Sequence, residues 1–195
     1  MKKPSYPTPG EIEKIIAETE RRGALREQLK QQNRELKIAQ AELRRALCEQ
    51  LYTVDNPNKP LAYYLGFYNK AGAKNGDINA QIAAADALSK SYDAVSAELK
   101  EGETEFRTRV LEICARAEGM KRLEYEALIA KVAAVLQPYC AGDEHAAQQL
   151  AADTPAAAEI KMQRERCYPS TYGSENLATP LRAALEFSTA NNAAK

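Results

Sequence analysis

Ile78, Ala85, Tyr92 and Leu99 stand seven residues apart, with Leu88 and Val95 at the companion positions and Ile82 widening the face. Apolar residues at that spacing return to one side of an α-helix and alternate between the sides of a strand. Residues 78–101 are therefore an amphipathic helix that must bury a stripe. A second seven-residue register runs through Leu29, Leu36 and Leu43, with Leu25, Gln32, Ala39 and Ala46 as companions. Leucine facing alanine suits a close antiparallel helix better than a parallel zipper. The segment 24–54 would be roughly 45 Å long as a helix. A helix that long and that polar needs a partner to be stable. Packing inside an intramolecular bundle is the simpler reading of this seam, and an intermolecular coiled coil is the alternative.

A third stripe, Phe106, Val110, Ile113, Ala117 and Met120, slips by one position after Gly119. It continues through Tyr125, Leu128, Val132, Val135 and Tyr139. "KEGE" at 100–103 reads as a short turn around Gly102, so 78–101 and 103–137 are expected to form an antiparallel helical hairpin. Pro138 ends that pattern. Beyond it come short pieces: "GDEHAAQQLAAD", "TPAAAEIKMQRERCY" and "TPLRAALEFSTA". The latter two open on Thr-Pro, with threonine as helix cap and proline at the first helical position. "PSTYGSENLA" is a loop.

At the other end, Pro4, Pro7, Pro9 and Gly10 predict an extended arm, with helix starting at Glu11 and a weak point at Gly23. The expected fold is all-α: an elongated antiparallel helical bundle or hairpin with coiled-coil character and a tail of short helices. Its expected parts are a Pro-rich arm (1–10), a helical bundle (11–137) and a short-helix extension (138–195). Composition agrees, because Ala, Leu, Glu, Lys, Gln and Arg, the best helix formers, dominate the long segments.

Chemistry is sparse. His145 is the single histidine, and its spacing to Cys140, Cys114 and Cys167 matches no zinc pattern. Glu144 beside it lacks the HExxH partner. A Cys140–His145 thiolate pair is conceivable in principle, but Gly142 lies between them and nothing aligns the two. The four cysteines, Cys48, Cys114, Cys140 and Cys167, are spaced without a CxxC, and read as small apolar residues in a reducing compartment. No phosphate-cradling glycine motif occurs in the sequence, and "AGAKNGD" before Asp77 is read as a loop with Asp77 as helix cap. No cofactor or metal is implied.

Lysine and arginine together number 27, as do aspartate and glutamate. Net charge therefore gives no pull towards nucleic acid or an anionic surface. The most basic stretch, "ERRGALREQLKQQNRELK", is broken by glutamates at nearly every turn, as on a salt-bridged helix surface. With no signal peptide and no apolar run long enough to span a bilayer, the chain is expected in the cytoplasm or in a particle assembled there.

One stretch remains. "LAYYLGFY" (61–68) holds three of the chain's ten tyrosines and one of its three phenylalanines. It follows the turn "DNPNKP" and reads as a short helix, with Leu61, Leu65 and Tyr68 facing inward. Tyr63, Tyr64 and Phe67 are candidate partner contacts, as are Leu29, Leu36 and Leu43 of the seam. The expected function is that of a non-enzymatic structural or protein-interaction subunit of a larger assembly, such as a virus-like or phage-derived particle. Its partners would be proteins or further copies of the chain. The alternative is a membrane-surface or pore-forming helical protein acting through 61–68. No nucleic-acid partner or small-molecule substrate is indicated.

Overall fold

The computed structural model describes residues 5–56, 58–72, 74–168 and 177–193. Among these the chain is all-α, with no strand. The helices are α1 (Pro9–Gln50), α2 (Leu61–Lys70), α3 (Gly76–Lys100), α4 (Glu103–Leu136), α5 (Glu144–Ala152), α6 (Pro155–Arg166) and α7 (Ala178–Ala193). A 3-10 turn, Gln137–Cys140, follows α4, as Pro138 dictates.

Packing divides the chain into two compact units. The first is Met1–Gly23 with Gly102–Lys195, and the second is Ala24–Glu101. This division cuts across the expected one. The span 11–137 is shared between the units, and 138–195 belongs to the same unit as the N-terminal residues.

The first unit is built on α4. Phe106, Val110, Ile113, Cys114 and Ala117 form a buried stripe that meets Ile12 and Ile15 of α1, Cys167, and Leu181, Ala184 and Phe187 of α7. The N-terminal residues differ in part from the expected extended arm, since helix begins inside it. Tyr6 and Pro7 are buried, and the helix starts at Pro9. Thr8 and Glu11 cap it reciprocally: the Thr8 amide donates to Glu11 Oε2 at 2.7 Å, and the Glu11 amide donates to Thr8 Oγ1 at 3.3 Å. Such a capping box, with proline at the first helical position, fixes a helix start in spite of Pro9 and Gly10. Tyr6 then donates its hydroxyl to Glu124 Oε1 at 2.7 Å, and Ser188 donates to the Pro7 carbonyl at 2.5 Å. Lys121 completes this clasp, paired with Glu124 at 2.8 Å and standing 4.5 Å from the Phe187 ring. Buried Arg22 plays a matching part elsewhere in the unit. It pairs with Glu18 and Glu103 at 2.7 and 2.9 Å and lies over Phe106.

The second half of α4 departs from the expected stripe. Val135 and Tyr139 are 64% and 86% exposed. The buried positions are instead Ala133, with Ile129, Val132, Leu136 and Cys140 packed beside it, because α5 covers that face with Ala147 and Ala151. α6 starts as its Thr-Pro predicts, with Thr154 Oγ1 accepting from the Ala157 amide at 3.3 Å. α7 begins at Ala178, one residue before the threonine expected to cap it. The expected loop "PSTYGSENLA" lies largely outside the described residues.

In the second unit, α3 pairs antiparallel with the later part of α1. Gln32 donates to Ser91 at 2.8 Å and Asn75 donates to Gln50 at 3.0 Å, so residues later in α1 meet residues earlier in α3. The two arms of the expected hairpin of 78–101 with 103–137 fall in different units, and within its own unit α3 packs on α1. Ile78, Ala85 and Val95 are buried as their spacing requires. The core joins Ile78 and Ala85 to Leu43, Leu47, Cys48, Tyr64 and Tyr68. Burying each large aliphatic side chain there contributes about 1.5–3 kcal/mol relative to leaving it in water.

Candidate interaction surface

α2 lies across the end of the α1–α3 pair, and its four rings divide by helical spacing. Tyr64 and Tyr68, four residues apart, are 3% and 2% exposed. Their hydroxyls close the two turns that flank the helix. The Asn56 amide donates to the Tyr64 hydroxyl at 2.8 Å, and the Asn75 amide donates to the Tyr68 hydroxyl at 2.9 Å. The helix cap of α3 is Asn75 rather than Asp77, its side chain accepting from the Asp77 and Ile78 amides. Asparagine reaches both donors from an extended backbone, and this moves the helix start to Gly76.

Tyr63 and Phe67 occupy the opposite face, 42% and 50% exposed. Their rings meet edge-on at 4.9 Å, and Lys59 Nζ stands 4.9 Å from the Tyr63 centroid. Leu51, Val54, Lys59, Tyr63 and Phe67 line a groove of 380 Å³ with Tyr64 as its floor. Val54 is 89% exposed and Tyr52 97%. A second, more polar groove of 740 Å³ adjoins the turn and takes in Arg44, Arg45, Glu49, Tyr52 and Asp55.

The turn between the grooves is set by how α1 ends. The Thr53 amide donates to the Cys48 carbonyl at 3.0 Å and the Tyr52 amide to the Glu49 carbonyl at 3.2 Å. That pair of bonds is the Schellman motif, which places its turning residue in the left-handed region. Tyr52 takes φ 50° there, at a position that favours glycine. Tyr52 and Val54 were not among the residues the sequence pointed to, since spacing alone carries the helix on to Val54.

Of the other predicted contacts, two are buried and two half-buried. Leu43 and Tyr64 are buried in the core of the second unit, so neither is free to meet a partner. Leu29 and Leu36 are half-buried, on the face that Gln32 turns to Ser91 of α3. Along this face part of the 24–54 seam packs against α3 of the same chain.

Groups with chemical potential lie elsewhere and apart. His145 is exposed on the first turn of α5, while Cys140 packs against the Ala133–Ala147–Ala151 cluster. Burial, with the neighbouring Cys167 adding to it, pushes the Cys114 thiol up to about 12. Burial likewise pushes Cys167 up to about 11. Both shifts run opposite to those of an activated thiolate. Among the described residues no three His, Cys, Asp or Glu side chains are placed to hold a metal ion. The basic stretch around Arg21 is ion-paired, with Arg21 and Arg22 on Glu18 and Lys30 on Glu27. Among the described residues no helix is long and apolar enough to cross a membrane. No family model, curated protein or solved structure matches the chain.

Proposed function

We propose that the chain is a non-enzymatic protein-interaction subunit that meets its partner through the α2 surface around Tyr63 and Phe67. The observation that carries this reading is the division of the aromatic helix. Two of its rings build the core and close the turns, and the other two stay in water with Val54 and Tyr52 beside them. Leaving apolar rings solvated forgoes their burial energy, and clustered exposure of this kind marks contact surfaces. Aromatic anchors within a groove are also what binding hot spots are made of.

Placing a photo-crosslinking benzoylphenylalanine at position 67 in the native setting tests it. The substituted chain should capture a defined protein species that the same probe at Met162, 60% exposed in the first unit, does not. Phe67→Asp should abolish a contact made at that surface with the helical content unchanged. Equal capture at positions 67 and 162 would overturn the reading.

A further inference from the structure

We propose that the aromatic surface of α2 docks onto the α4–α5 corner of a second copy of the chain, in a heterologous contact that repeats from copy to copy. This rests on the interaction reading above and names the occupant of that surface.

The balanced net charge hides a local segregation. Residues 56–76 carry Lys59, Lys70 and Lys74 and not one carboxylate. Residues 132–160 carry Asp143, Glu144, Asp153 and Glu159 and neither lysine nor arginine. All seven side chains are exposed. Many other charges of the chain are ion-paired within it, as Arg22, Arg44, Lys121 and Arg164 are. None of these seven is in an ion pair among the described residues. The first span is therefore net positive and the second net negative, with Asp143 also capping α5 through the His145 and Ala146 amides.

Each charged surface also carries exposed apolar side chains. On the cationic side these are Val54, Tyr63 and Phe67. On the acidic side they are Val135, Tyr139 and Leu150, which are 64%, 86% and 53% exposed. α5 and the 3-10 turn pack on the end of α4, so the three residues lie on elements that pack together in the first unit. Apolar contact supplies affinity and opposite charge supplies orientation, so the two surfaces suit each other and each repels its own kind. The two non-glycine residues with positive φ among those described, Tyr52 and Ala141, stand one beside each surface. Glycine would be the easier residue at both, and backbone tension of this sort concentrates where a surface is used.

Because the two surfaces differ, a dimer leaves one of each kind unsatisfied and assembly continues until a ring closes or material runs out. A complementation experiment reads this directly. In sedimentation velocity the full chain should gain weight-average mass with concentration and lose it with added salt. Phe67→Asp, and the double variant Lys59→Glu/Lys70→Glu, should each remain monomeric, as should Tyr139→Lys. Circular dichroism and melting verify that each is folded. Mixing Phe67→Asp with Tyr139→Lys leaves one intact surface of each kind, so the mixture should reach twice the monomer mass and stop there.

A mixture that stays monomeric overturns the proposal, as do single variants that still pair with themselves. A monomeric wild type that floats with phosphatidylserine vesicles, and fails to do so as Phe67→Asp, also overturns it and assigns the surface to lipid. A monomeric wild type that is captured by another protein at position 67 but not at 162 overturns the self-contact alone and leaves the interaction reading in place.

Discussion

Alkaline pH should unfold the first unit through its two buried thiols. Cys114 and Cys167 lie in its core at 1% and 0% exposure. Their thiols ionise at about 12 and about 11 in the fold, both raised mainly by burial. Lys121 and Arg166 moderate the shift of Cys167. The Cys167 thiol also donates to the Gln163 carbonyl at 3.7 Å, which only its protonated form can do. The ordinary thiol value is 9.0, so the unfolded chain gives up these protons first. A group whose folded value is raised contributes fully below its unfolded value, and that contribution is lost as pH climbs towards the folded value. Each thiol costs about 1.4 kcal/mol for every pH unit in that window. From pH 9 to about 11 the pair together removes about 5 kcal/mol, comparable with the whole stability of a small domain. Tyr6, raised by burial and by its bond to Glu124, adds to the loss at still higher pH. The assay is urea unfolding across this range for wild type and Cys114→Ala/Cys167→Ala, with hydrogen exchange on α4 and α7 peptides to locate the loss. The double variant should start about 2 kcal/mol less stable at neutral pH, from the lost sulfurs, and then decline far less steeply. Parallel decline of the two proteins would refute the reasoning, because the thiols would then not be held protonated by burial.

Three further outcomes follow from side chains whose surroundings are defined. Lys121→Ala removes the partner of Glu124 and the cation near Phe187, and should lower the first unit's stability by about 2 kcal/mol, discounted because Glu124 is partly solvated. Lys121→Met keeps the stem packing and should cost less in a thermal melt, so equal losses would show that the stem contributes nothing. Gln32→Leu should stabilise the second unit by about 1 kcal/mol in urea, since Gln32 Oε1 is buried in the α1–α3 seam without a hydrogen-bond partner. Tyr52→Gly relieves the left-handed position at the end of α1 and should add about 1 kcal/mol to the same unit, read as a shift of the urea midpoint.

α3 was legible because its signal is local. Seven apolar residues share one face, and every one of them is at least half-buried whatever lies opposite. The choice of partner was not local. Adjacent helices with a short turn are the simplest pair to assume, yet the stripe of α3 meets Leu43 and Leu47 of α1. Both α1 and α4 offer an apolar face of matching period, and only packing in three dimensions decides between them. The end of α4 was misread for a related reason. Its buried face is matched by Ala147 and Ala151, whose small side chains give little periodic signal, while the larger Val135 and Tyr139 attract attention and stay in water.

The same weighting explains the N-terminal residues and the aromatic helix. Proline forbids helix hydrogen bonds at Pro4, Pro7 and Pro9, and says nothing about burial. That Tyr6 would find Glu124, and Ser188 the Pro7 carbonyl, depends on residues more than a hundred positions away. The "TPGE" capping box was readable in principle, and it is the feature that turns the supposed arm into a helix start. In "LAYYLGFY" spacing separates one pair of rings from the other but does not say which pair is inside. The polar ends of the rings decide it. Tyr64 and Tyr68 each bring a hydroxyl that satisfies a turn amide, which a phenylalanine at 64 or 68 would leave bare, whereas Phe67 has no such bond to offer. Hydrogen-bond chemistry thus holds Tyr64 and Tyr68 inside, and helical spacing leaves Tyr63 and Phe67 on the opposite, exposed face.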